Sequence, residues 1–222
     1  MSTPTQPRTP FQILQFRLAE ACWLWRAWKR LYLQPTSPTK YNTIELMKSA
    51  APAFFFSLLR PMLLNTVILH ICKITDPPSG GKQKMNLSLE RMAADAPPDP
   101  KTQAALTPLL NILKIALVPF KNLRNWMIAH DDFGIATGTS SAPKITDTQI
   151  DEVLDTAIQI MNLLDPNYST TSFGYKDMSA QGDVDSLISA LDRSHKYIHE
   201  QRGRRPDNFI LAEHSNQSPL AQ

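Results

Sequence analysis

Apolar residues recur along most of this chain at spacings of three and four, and almost nowhere at two, so helices are the structure it can build. The clearest case is the run 113, 116, 117, 120, 123 and 127, a stripe down one side of a helix. Only 7 glycines interrupt the chain, while 18 prolines gather in connections and tails. No strand-like alternation and no internal repeat is present. The expected fold is all-α, an up-and-down bundle of about five to seven helices.

The motif helix carries unusual polar cargo. In Phe120-Lys121-Asn122-Leu123-Arg124-Asn125-Trp126-Met127-Ile128-Ala129-His130-Asp131-Asp132, Arg124 falls near the middle of the apolar stripe. Asp131 lies almost above it, and His130 sits on the flank in the last turn before Gly134, a natural helix stop. A guanidinium on a core-facing stripe is costly unless paired or facing a solvated cleft. Arg124, Asn125, His130, Asp131 and Asp132 within nine residues therefore form a candidate site. The plain structural account is that Arg124 pairs with Asp131 or with a carboxylate of a neighbouring helix. His130 then merely favours the negative end of the helix dipole.

The arrangement R-N-x-x-x-x-H with Ala129 before the histidine resembles the signature of HEPN domains, most closely their abortive-infection (Abi) U-like branch, where the helix ends in A-H-x-D. A second likeness lies upstream. Leu69-His70-Ile71-Cys72-Lys73-Ile74-Thr75-Asp76-Pro77 resembles that branch's helix ending in Leu-Thr-Asp-Pro, followed by a Gly/Lys loop and Asn86-Leu87-Ser88-Leu89. The resemblance spans roughly residues 15–165 and implies a HEPN-type bundle.

It further implies a ribonuclease that cuts RNA without a metal or other cofactor and leaves a cyclic phosphate. His130 would serve as general acid or base and Arg124 would hold the scissile phosphate. Asn125 would be an orienting donor, and Asp131 or Asp132 would fix the imidazole tautomer. In a straight helix Arg124 and His130 stand about 120° apart, so one chain does not close a tight site by backbone geometry alone. The family's usual solution is a homodimer in which two such helix ends meet across a cleft. HEPN toxins silenced by adenylylation carry a tyrosine two residues after the histidine. Asp132 stands there in this chain, so that control is not implied. The alternatives are a non-catalytic RNA-binding module, or an antitoxin or protein-interaction partner whose Arg-His pair is structural.

Composition bounds the rest. A net charge of +3 is too small to predict nucleic-acid binding by itself. Arg193, Lys196, Arg202, Arg204 and Arg205 nevertheless cluster in and after the last helix, where they would track an RNA backbone. His195 and His199, one turn apart, have zinc-ligand spacing, but Lys196 occupies the position where a zincin needs glutamate. They read as a solvated helical face, and no metal site is expected. Trp23, Trp25 and Trp28 read as packing residues rather than base-stacking platforms. The 2 cysteines, Cys22 and Cys72, lie in apolar helical runs and read as buried thiols.

The run Ala51 to Ile74 is apolar but broken by Pro52, Arg60, Pro61 and His70, which argues against a membrane span. Phe54, Phe55 and Phe56 suit a central helix. With no apolar leader in the first ten residues, a cytoplasmic location is expected. The expected organisation is a disordered segment 1–10, a HEPN-like domain 11–201 and a mobile tail 202–222. Local signals place caps at Ser88, Asp99 and Thr146. One long helix is expected from Asp99 to about Asp132, kinked near Pro108 or Pro119.

Overall fold

The computed structural model describes residues 8–33, 43–50, 53–79, 85–96, 99–125, 144–168, 174–175 and 183–204. His130, Asp131, Asp132 and Arg205 lie outside the described residues, as do most of the expected N-terminal segment and tail. The architecture is all-α, with eight helices among the described residues: α1 (Pro10–Tyr32), α2 (Thr43–Ala50), α3 (Ala53–Thr75), α4 (Leu89–Asp95), α5 (Pro100–Ala116), α6 (Val118–Leu123), α7 (Asp147–Tyr168) and α8 (Val184–Arg204). The extended pairing in the described residues is a single isolated bridge, Ser79 with Met85.

Helix starts follow local chemistry. The Ser88 hydroxyl accepts from Arg91 N–H at 3.4 Å, and Asp99 Oδ2 accepts from Thr102 N–H at 2.9 Å with Pro100 opening α5. Thr146 and Gln149 bond each other's backbone N–H groups reciprocally at 3.2 and 2.9 Å. A further box was missed in the sequence. Thr9 and Gln12 make the same exchange at 3.2 and 3.0 Å, so α1 begins at Pro10, inside the segment expected to be disordered.

The long helix expected over 99–132 is divided. Leu117 separates α5 from α6, and Pro119 sits in the first turn of α6, where its missing N–H costs nothing. Pro108 stays inside α5. The last helix runs on to Arg204, so Arg202 and Arg204 belong to helix and not to a tail.

The chain divides into two compact units: Met1–Trp28 with Arg60–Ser179, and Lys29–Leu59 with Ala180–Gln222. In the first unit α5 packs along α7, and α4 touches both. The α7 stripe Ile150, Val153, Leu154, Ala157, Ile160, Met161 and Leu164 is fully buried, with Leu106, Leu113 and Phe120 from the motif helices. Trp25 and Trp28 are buried and stacked, ring centroids 5.0 Å apart. Their indole N–H groups donate to Asp151 Oδ1 at 2.7 Å and to the Arg60 carbonyl at 3.1 Å. These two tryptophans are therefore packing residues. In the second unit α2 packs on α8, and Arg30 bonds Asp185 Oδ1 through Nε and Nη2 at 2.8 and 2.5 Å.

Two expectations for α8 and α3 need correction. His195 is buried, its ring edge-on to His199 at 4.3 Å, while His199 is exposed, so only His199 lies on a solvated face. Phe54 and Phe55 are 73% and 57% exposed, and only Phe56 is buried, so this end of α3 is not a central helix. By length and composition α3 is also apolar enough to cross a membrane. Pro61 and Arg60 do not prevent that match. Val67, Ile68, Ile71, Cys72 and Ile74 at its other end are buried among protein, although only 22% of its apolar window is.

Candidate active site

Arg124 lies at the end of α6, where the backbone widens from α-helical to π-helical hydrogen bonding over Arg124–Asn125. Such widenings re-aim side chains and occur disproportionately at functional positions. The guanidinium reaches away from its own helix to the end of α3. Its Nη1 donates to Asp76 Oδ1 at 2.9 Å, while Nε donates to the Asn125 side-chain oxygen at 3.3 Å. Nη2 makes no hydrogen bond among the described residues.

The pair thus joins the two stretches that the sequence marks separately, the R-N element and the Thr-Asp-Pro end of α3. Asp76, at the end of a neighbouring helix, is the carboxylate partner of Arg124 among the described residues, as the second of the two expected pairings has it. Both side chains are a little under a third exposed, 29% and 28%, which puts the pair at a partly solvated rim.

Cys72 lies one turn before Asp76 and is completely buried. Burial pushes its thiol up to about 11; Arg124 and Lys121 pull it down and Asp76 pushes it further up. It stays protonated and is no nucleophile.

Beside the pair opens a pocket of about 290 Å³. Thr75 and Pro77, the two neighbours of Asp76, line it, as does Lys121, three residues before Arg124. Leu89, Leu113 and Leu117 supply buried apolar wall. Lys114, Glu90 and Asn111 complete the polar part. Lys114 and Lys121 were not singled out in the sequence. Their spacing of seven residues, two helical turns along the expected motif helix although α5 and α6 in fact carry one each, is the signal that points to them.

The basic cluster belongs to the other compact unit. Arg193 is exposed; Lys196 is exposed but bonded to the buried Asp192 at 2.7 Å. Arg202 and Arg204 contribute helical backbone, and their side chains lie outside the described residues. No group of three or more His, Cys, Asp or Glu side chains suited to a metal occurs among the described residues.

No curated protein and no solved structure matches the chain. The profile of one family, the HEPN domains described as AbiU2, matches residues 12–187 and takes in both the Thr-Asp-Pro and the Arg-Asn elements. An all-α chain that carries both elements, matched over most of its length, belongs to the AbiU2 family of HEPN domains.

Proposed function

We propose that the protein is a metal-independent endoribonuclease acting in phage defence or a toxin–antitoxin setting. The observation that carries this reading is the engagement of Arg124. Asp76 and Asn125 hold two of its nitrogens and leave Nη2 without a hydrogen bond among the described residues. A guanidinium oriented by a carboxylate, with donors to spare, suits the non-bridging oxygens of a phosphodiester. In this reading His130, six residues on, takes the 2′-hydroxyl proton. The 2′-oxygen bonds to phosphorus, the bond to the 5′-oxygen breaks, and that oxygen takes a proton from the imidazolium of the second histidine of the homodimer. The products are a 2′,3′-cyclic phosphate and a 5′-hydroxyl.

The same reading takes the active form as a homodimer, with Asp131 or Asp132 orienting each of the two histidines. Supporting it, Ile112, Ile115 and Val118 form an exposed apolar stripe, 55%, 75% and 55% exposed, on the helices that lead into the motif. Arg193, Arg202, Arg204 and Arg205 would follow the RNA backbone, with Lys196 contributing less because Asp192 holds it. A cytoplasmic location fits a target of cellular RNA.

The Arg124–Asp76 pair also favours a second reading, a non-catalytic RNA-binding module or antitoxin-type partner in which that pair is structural. The two separate on one experiment. His130→Ala and Arg124→Ala should each lower RNA cleavage by about a hundred- to ten-thousand-fold, with EDTA without effect and cyclic phosphate on the products. Wild-type protein that binds RNA and leaves it intact would establish the second reading.

A further inference from the structure

The pocket beside Arg124 and Asp76 is unassigned by anything in the motif, and its lining is specific. The side-chain ammonium groups of Lys114 and Lys121 make no ion pair or hydrogen bond among the described residues, nor does the carboxylate of Glu90 or the amide of Asn111. All four belong to the lining, above apolar walls that include Leu89 and Leu113. We propose that this pocket binds one guanine nucleotide of an RNA chain. The inference rests on the ribonuclease reading for the identity of the chain but not for the chemistry of the pocket.

Each part of a nucleotide finds a counterpart. The volume, about 290 Å³, stands at the lower edge of the roughly 300–1,000 Å³ usual for small-molecule sites. It therefore suits one ring system with its sugar and not a longer stretch. Pro77, Pro78 and Leu110, which line the pocket and keep accessible surface, offer the base an apolar side. Two lysines, neither of them paired among the described residues, supply the positive charge that a phosphate recruits. Glu90, when ionised, offers only acceptors. Among the four bases guanine alone places two donors, N1–H and the exocyclic amine, side by side on its Watson–Crick edge. A carboxylate selects such an edge, and Asn111 can donate to the neighbouring carbonyl. Lys121 lies three residues before Arg124, so a nucleotide held here would be close in the chain to the phosphate held there.

Titration calorimetry of the full chain with GMP, AMP, CMP and UMP tests the assignment. GMP is expected to bind about tenfold more tightly than AMP, as a good paired contact to a base edge implies. Glu90→Gln should bring the two within about twofold. Lys114→Ala should weaken all four, and should lower the salt slope of oligonucleotide binding by about one. Equal binding of the four nucleotides, no binding, or a guanine preference untouched by Glu90→Gln would overturn the proposal. An oligonucleotide of 2′-deoxy residues with a single guanine cannot undergo attack by a 2′-oxygen, so its binding is read independently of cleavage. GMP should displace it. GMP binding without displacement would mark a free-nucleotide site and reject the RNA assignment. Failure of the wild-type protein to cut RNA leaves all these results unchanged, so the two readings fail separately.

Discussion

Asp76→Asn isolates the contact on which the site is organised. It keeps the size and an acceptor oxygen but removes the charge opposite Arg124. The bond is 2.9 Å long, and the two side chains are 29% and 28% exposed. A hydrogen bond to a charged group contributes about 1.5–3 kcal/mol, whereas a fully exposed ion pair contributes about 0–1 kcal/mol. Partial exposure places this pair between the two, at about 1–2 kcal/mol. For a chain of this size that lowers Tm by about 2–8 °C.

The assay is a double-mutant cycle with Asp76→Asn, Arg124→Gln and the two together, followed by thermal and urea denaturation. The expected coupling energy is about 1–2 kcal/mol, because either substitution alone already loses the pair. RNA cleavage should fall in Asp76→Asn as well, since the guanidinium loses the carboxylate that orients it. Additivity within about 0.5 kcal/mol would refute the reasoning, because it would mean that Asp76 and Arg124 do not hold each other.

Three further outcomes are expected. Wild-type protein at micromolar concentration should sediment at about twice the 25.0 kDa chain mass, and Ile115→Glu should shift it to the monomer; a dimer that survives the substitution would place the interface elsewhere. Burial lowers the His70 pKa below its ordinary 6.5, as do Lys73 and Arg17, with Glu20 opposing. The folded state therefore binds fewer protons, and stability should fall as pH drops below about 6.5; His70→Gln should lose that slope, and an unchanged slope would exclude His70 as its source. Asp151→Ala removes the acceptor of the buried Trp25 indole and should cost about 1–3 kcal/mol in urea denaturation, whereas Asp151→Asn, which keeps an oxygen there, should cost less.

Local chemistry made most of the helices legible in the sequence. Ser88, Asp99 and Thr146 cap because a short oxygen-bearing side chain satisfies backbone N–H groups only a few residues away. The box of Thr9 with Gln12 is as local as that of Thr146 and is legible on the same ground. The bend expected near Pro119 falls at Leu117, but as a break between two helices, because a proline is compatible either with a kink or with a first helical turn. The surrounding packing selects between them.

The partner of Arg124 was decided only by tertiary structure. The sequence by itself determined that a guanidinium on a core-facing stripe needs a carboxylate or water. Asp131 was the nearest candidate along the chain. Asp76 stands 48 residues away, brought there by the packing of the first unit. The pocket lysines, the burial of His195 and the exposure of Phe54 were illegible for the same physical reason. A side chain's hydrophobicity states what its burial is worth, whereas which neighbour covers it depends on how distant helices meet.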